Sequence, residues 1–191
     1  MATKESARTS RALMDRLLEN RIIMLSEPVM PKPAQRLIAQ LLLLDAQDPK
    51  APIHFYINTP GGSISDGFAI FDAVRFLRAP VITVCTGLSA SMGTILMLSP
   101  PEKKNRVCLP NTRFMIHQPS SAYRGSAADI EIGAREILKL RDRLVEIYVT
   151  ETKMDEDRIR ADLNRDYWMT SDEAVKYGLC DRVVRHVSDL G

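Results

Sequence analysis

Between Cys85 and Thr94 the chain reads "CTGLSASMGT", with two serines and two glycines at the centre of a segment, Ala79 to Pro101, that holds no Asp, Glu, Lys or Arg. An uncharged run in a core is ordinarily Val, Ile and Leu, so the hydroxyls need a reason. Either they serve a tight turn or one of them performs chemistry. Upstream, "VITVCTG" is rich in β-branched residues and reads as a strand, and downstream Met92 to Leu98 is an apolar segment of helical length. A small-x-Ser-x-Gly sequence between a strand and a helix is the layout of a nucleophile elbow, which pushes the serine out at the end of a sheet. Ser91 has Gly93 two places after it and Ser89 two places before it, whereas Ser89 lacks the later glycine. Ser91 is therefore the candidate nucleophile, with Ser89 as the small residue of the turn. Turn serines without chemistry remain the alternative at this point.

The same segment is long enough to span a bilayer, but its prolines at both ends, two glycines and six Ser or Thr dilute the hydrophobicity a spanning helix needs. Outward from it the pattern alternates. "PAQRLIAQLLLLDAQ" (33–47) is a helix with an apolar face through Leu37, Ile38, Leu41, Leu42 and Leu44; "PIHFYIN" is a strand, "TPGG" a turn and "SDGFAIFDAVRFLR" a helix. Strand, helix, strand, helix is the rhythm of an α/β fold with parallel pairing. "NRVCLP" and "RFMIHQP" read as further strands. From Ser126 to Thr152 runs a helical pattern well beyond the usual three or four turns, whose apolar positions Ile130, Ile137 and Leu144, and then Leu140 and Ile147, recur at sevens. That helix either lies across its own sheet or packs against another copy of itself. A short helix at "DEDRIRADL", the strand "YWM", a helix "SDEAVKYG" with Thr170 and Glu173 spaced as a capping box, and the strand "LCDRVV" complete the pattern. Near the start, "SRALMDRLLENR" is a helix behind a Ser10 cap and "IIMLS" a short strand. Residues 1–10 are expected to be a flexible tail and residues 11–191 a single domain.

With 191 residues, nearly half of them apolar, the chain can bury a full core, and its excess of two positive charges over balanced totals gives nucleic acid and acidic membranes little to hold. Three cysteines without a C-x-x-C pair fit neither a disulfide framework nor a zinc knuckle; Cys85 and Cys108 read as small hydrophobes in a reducing compartment. No G-x-x-x-x-G-K-[ST] occurs, so the "PGG" turn is not a nucleotide cradle of that kind.

A serine nucleophile needs a base, and the chain has three histidines. His54 stands early in a strand, as an edge or surface residue. His186 lies among charges near the C-terminus. His117 ends the strand "RFMIH", where a strand gives way to a loop, and is the best placed. For the carboxylate that orients the imidazole, Asp166 in "NRDYWM" is a placement that sequence alone does not single out among twenty-four acids. Oxyanion donors would be backbone amides, that of Met92 and one from the "PGG" turn, where the lack of a Cβ allows close approach.

Taken together, "INTPGGSISDGFAIFDAVRF", "GLSASMGT", "CLPNTRFMIHQP", "ADIEIGAREILKLRDRL" and "RDYWMTSDEAVKYGLCD" resemble the caseinolytic protease P (ClpP) family of serine peptidases, in unbroken order from about Arg11 to Val184. The resemblance implies a crotonase-like spiral of β-α units with a protruding handle helix, here about 126–152. It implies Ser91, His117 and Asp166 as nucleophile, base and orienting acid, and the Gly62 and Met92 amides as the oxyanion hole. It further implies stacked seven-membered rings enclosing the active sites and hydrolysis of unfolded polypeptide. A partner AAA+ unfoldase would thread that polypeptide in and spend the ATP, so that the chain itself needs no cofactor, in the cytoplasm. Leu42, Tyr56 and Phe76 match the family's apolar pocket for the unfoldase's loops; ordinary core is their alternative.

The sequence also departs from the family's pattern. Only "ATKESARTS" precedes the first helix where an apolar segment is usual, His54 replaces a frequent aromatic, "PSSAYRG" stands where a glycine pair is common, and Asn164 where an acid often helps pair the rings. Such departures also fit a weakly active or structural paralogue that works only in a mixed ring. An acyl-CoA enzyme on the same fold is a third reading, disfavoured because that chemistry does not use a Ser-His-Asp set.

Overall fold

The computed structural model describes residues 4–190, with side chains from residue 12 onward. In chain order its elements are α1 (Lys4–Glu19), β1 (Ile22–Leu25), α2 (Pro31–Gln47), β2 (Ile53–Thr59), α3 (Ile64–Phe76), β3 (Val81–Ala90) and α4 (Met92–Met97). Then follow β4 (Arg106–Cys108), β5 (Arg113–Ile116), α5 (Ala127–Thr152), α6 (Glu156–Leu163), β6 (Tyr167–Met169), α7 (Ser171–Tyr177) and β7 (Arg182–Val183). The strands form one sheet in the order β1-β2-β3-β4-β7, all parallel, from which β5 branches off the far end of β3 and carries β6 antiparallel. This is the expected α/β class.

Side-chain alternation explains which face each helix covers. Along β2, Ile53, Phe55 and Ile57 are fully buried while His54 and Tyr56 face the other way. The buried set meets Leu37, Leu41 and Leu44 of α2 and Ile70, Phe71 and Val74 of α3. Each such side chain contributes about 1.5–3 kcal/mol by leaving water. The opposite face has a smaller cluster, Val84, Val107, Val184 and Leu190, flanked by half-buried Tyr56 and Ile82. Cys85, Cys108 and Cys180 are all buried free thiols packed as small apolar groups.

Several boundaries differ from the sequence reading. The first helix begins at Lys4, ahead of the Ser10 expected as its cap, because Lys, Glu, Ala and Arg are good helix formers and no Gly or Pro interrupts them. Of the expected tail, residues 1–3 lie outside the described residues. The strand expected at "VITVCTG" runs on to Ala90. Its first half pairs with β4 up to Cys85, and after Gly87, held at φ 55°, its second half pairs with β5. A strand that exchanges one neighbour for another needs a bend, and a glycine at positive φ supplies it. His54 is not on an edge: β2 lies between β1 and β3.

The long helix packs on its own domain over its C-terminal part only. Its start is fixed by a capping box between Ser126 and Asp129, and its end by Lys153 in the left-handed conformation. Leu144, Val145, Ile147 and Tyr148 are buried in the domain core, whereas Ile130, Ile132 and Leu138 are exposed on the part that projects from it. Among the described residues, no helix is long and apolar enough to cross a membrane.

Candidate active site

Sheet register brings the three candidate residues together. In the parallel pairing of β3 with β5, Ala90 lies beside Met115, so Ser91 and His117 emerge near each other at the C-terminal ends of the two strands. The antiparallel pairing of β5 with β6 sets Ile116 opposite Tyr167, and one step further that register puts His117 opposite Asp166. The outcome is a continuous chain of contacts. The Ser91 Oγ lies 2.9 Å from His117 Nε2, and His117 Nδ1 lies 3.0 Å from Asp166 Oδ1. The carboxylate is about two-thirds exposed and the imidazole about one-third. His54 and His186 are absent from this cluster: His54 is half-buried on the sheet with an unpartnered Nε2, where burial holds its pKa below the usual value, and His186 is exposed.

Ser91 has φ 53° and ψ −119°, a conformation that costs a non-glycine residue about 1–3 kcal/mol and persists only where its surroundings enforce it. Three hydrogen bonds do so. Its N–H donates to the Met115 carbonyl at 2.7 Å, and its own carbonyl accepts from the Thr94 N–H at 3.0 Å and the Thr94 hydroxyl at 2.7 Å. Ser89, expected in the turn, is instead a fully buried strand residue. Its small side chain leaves room for Gly93, where a Cβ would lie 2.8 Å from Thr59 Cγ2 and 3.3 Å from Ser89 Oγ.

The "PGG" turn packs directly against the elbow. A Cβ on Gly61 would lie 2.7 Å from Ser91 Cβ, 2.8 Å from the Ala90 carbonyl and 3.0 Å from Met92 N, and one on Gly62 would overlap the Val29 carbonyl at 2.2 Å. The neighbouring amides are committed, Ser63 N–H to the Val29 carbonyl and Gly61 N–H to Thr59 Oγ1. The amides of Gly62 and Met92 have no acceptor within the chain among the described residues, so both are available beside the Ser91 hydroxyl. Gly61→Ala is therefore expected to reduce turnover about a hundredfold by displacing the elbow. Steady-state peptide hydrolysis on the folded variant, checked by circular dichroism, measures this, and wild-type rates would contradict the packing described.

Two concavities meet at His117 and Pro119. An open groove of about 560 Å³ runs along His117 to Ser120 and Asn164 to Asp166. A narrow apolar cavity of about 20 Å³ is lined by Ile64, Met92, Ile95, Pro119, Leu144 and Tyr148 next to Ser91 and His117. The sequence reading did not find this lining, because Ile95, Leu144 and Tyr148 carry the spacing of ordinary helix-core residues and only the tertiary fold aims them at Ser91. Leu42 and Phe76, for which core packing was the alternative, are 46% and 81% exposed and are not core; Tyr56 is half-buried on the sheet face. Among the described residues, no group of three or more His, Cys, Asp or Glu is placed to hold a metal ion.

A strained serine at a strand-helix junction, an imidazole and a carboxylate in hydrogen-bond sequence, and two free amides form a constellation suited to acyl transfer. Residues 4–187 match the family model described as Clp protease. The chain belongs to the Clp protease family. It is similar to the ATP-dependent Clp protease proteolytic subunit of Deinococcus radiodurans, with 46% identity over 172 residues, covering 90% of this chain and 84% of that protein. The resemblance read from the motifs thus holds, and the parallel sheet with its protruding helix has the architecture expected of the Clp protease fold. The chain is accordingly a serine endopeptidase of the Clp type, and neither the acyl-CoA reading nor a purely structural subunit is favoured.

Proposed function

We propose that Ser91, His117 and Asp166 are the catalytic triad of this endopeptidase and that it cleaves unfolded polypeptide inside a chamber made of stacked rings of itself. The observation that carries the triad is the unbroken contact from Ser91 Oγ through the His117 imidazole to Asp166 Oδ1. As the hydroxyl attacks a peptide carbonyl, His117 Nε2 takes its proton and Asp166 steadies the imidazolium through Nδ1–H. The oxyanion that forms is received by the amides of Gly62 and Met92, each worth about 3 kcal/mol in the transition state. His117 then hands the proton to the leaving amine, and a water activated by the same imidazole frees Ser91. The open groove beside His117 and Asp166 is wide enough to take extended polypeptide, whereas the cavity of about 20 Å³ next to Ser91 is too small for a side chain and serves to pack the elbow.

Self-assembly is supported by the projecting part of α5, where Ile130, Ile132 and Leu138 remain about half exposed among the described residues. Stacked heptameric rings are the arrangement the family resemblance implies, and images of purified particles test it. Polypeptide would be delivered by a ring-shaped AAA+ unfoldase that spends the ATP, in the cytoplasm, with no cofactor on this chain. Leu42, Tyr56 and Phe76 would form its docking surface. Phe76→Ser is expected to reduce unfoldase-driven degradation of a folded substrate at least about tenfold while short-peptide hydrolysis stays unchanged, since exposed aromatics dominate such contacts. Equal loss of both activities would remove the docking role.

The test of the triad is reaction with a fluorophosphonate followed by peptide mapping. The label is expected on Ser91 in the chain alone and absent from His117→Ala. Label on another residue, or reaction only after a different subunit is added, would favour a mixed assembly or a different nucleophile.

A further inference from the structure

On the core side of the elbow, Tyr148 of α5 is 2% exposed and Thr94 of α4 is fully buried, and their hydroxyl oxygens lie 2.5 Å apart. The Thr94 Oγ1 also lies 2.7 Å from the Ser91 carbonyl oxygen. Proton accounting fixes the direction of both bonds. A carbonyl oxygen has no proton to give, so the single Thr94 hydroxyl proton points at Ser91 O; the bond to Tyr148 must then be donated by the phenol. Burial raises the Tyr148 pKa, which keeps that phenol protonated. The relay therefore runs one way, Tyr148 O–H to Thr94 Oγ1 and Thr94 O–H to Ser91 O, and each bond polarises the next.

Its target has a particular meaning for the site. The carbonyl of Ser91 and the N–H of Met92 belong to one planar trans peptide unit, and their bonds point in opposite directions. Drawing the carbonyl toward Thr94 and the core therefore turns the Met92 N–H outward. Ser91 sits at φ 53° and ψ −119°, outside ordinary backbone preference, so this peptide plane is held by what its carbonyl accepts, the Thr94 N–H at 3.0 Å and, more closely, the Thr94 hydroxyl at 2.7 Å. We infer that Tyr148 and Thr94 are positioning residues which aim the Met92 amide at the oxyanion, linking the root of the long helix to the transition state. This inference rests on the reading of Met92 as an oxyanion donor beside a Ser91 nucleophile.

An oxyanion exists in the transition state and not in the bound substrate, so a mis-aimed donor lowers kcat and leaves KM nearly unchanged. Thr94→Val keeps the shape and removes the hydroxyl; its kcat for a short peptide is expected to fall about tenfold, with KM within about twofold. Binding of a peptide boronate, which mimics the tetrahedral state, is expected to weaken by a similar factor. Thr94→Ser restores both values. Tyr148→Phe leaves the Thr94 bond in place and is expected to lower kcat about threefold, and adding it to Thr94→Val should cost nothing more, because both act through one carbonyl. Wild-type kcat and boronate affinity in Thr94→Val overturn the inference, as does a loss carried in KM. Should Thr94→Val fail to fold, Tyr148→Phe decides alone, with unchanged kcat as the contrary result. A failure of the underlying reading looks different: the wild-type chain itself would then not label at Ser91.

Discussion

Ser91→Ala is expected to bring peptide hydrolysis to background, a loss of about 10⁶-fold in kcat, with His117→Ala close behind it and Asp166→Asn costing about 10⁴-fold. The ordering follows from the geometry. Removing the hydroxyl removes the attacking atom, and removing the imidazole leaves a serine whose proton has nowhere to go at 2.9 Å. Asp166→Asn keeps a hydrogen-bonding partner 3.0 Å from Nδ1 but forfeits the charge that stabilises the imidazolium and its tautomer. The carboxylate is also the most exposed of the three, so water replaces part of what it supplies. The three act as one unit, so Ser91→Ala combined with His117→Ala should be no slower than Ser91→Ala alone. Single-turnover cleavage of a chromogenic peptide by each variant reads these factors. A Ser91→Ala chain retaining more than about one percent of the wild-type rate cannot be using this hydroxyl as its nucleophile.

The candidate nucleophile was legible in the sequence because its requirement is local: an elbow needs small residues at fixed spacing around one serine, and Ser91 has them. Ser89 was misplaced into the turn because a strand that switches neighbours at Gly87 looks, in one dimension, like a strand that ends there. His117 could be chosen since only three histidines exist and one stands at a strand end. Asp166 had no such signal. What selects it is the antiparallel register of β5 and β6, a long-range pairing that carries no mark in the residues around it and became readable only through family resemblance. The long helix could be delimited by Ser126 and its period, yet its division into a buried root and an exposed outer part depends on how far α4 and α6, which pack against it, reach along its length. Thr94 and Tyr148, far apart in the chain, look separately like a helix threonine and a core aromatic.

The root of that helix also holds the largest expected change in stability. Arg106 on β4 is 1% exposed, the largest fully buried side chain in the domain. Its guanidinium donates to the Pro100 carbonyl and to the Glu151 carboxylate at the end of α5, which also receives Arg75 of α3 at 2.6 Å. Arg75 in turn lies 4.4 Å above the Phe71 ring and donates to the Leu98 carbonyl. Burial draws the Arg106 pKa down, and the Glu151 carboxylate opposes that pull and keeps the guanidinium charged. Glu151→Gln removes the only carboxylate in this group and leaves a buried cation uncompensated, which costs about 3–5 kcal/mol. Arg106→Met should cost less, because Glu151 keeps its contact with Arg75, a side chain one-third exposed that can also rehydrate. Combining Arg106→Met with Glu151→Met should recover much of the loss, since replacing a buried pair by apolar groups is often nearly neutral. Urea unfolding followed by far-ultraviolet circular dichroism at one fixed protein concentration measures all three. A Glu151→Gln midpoint equal to wild type would mean that the guanidinium reaches water by another route and that the helix root is held by its apolar contacts alone.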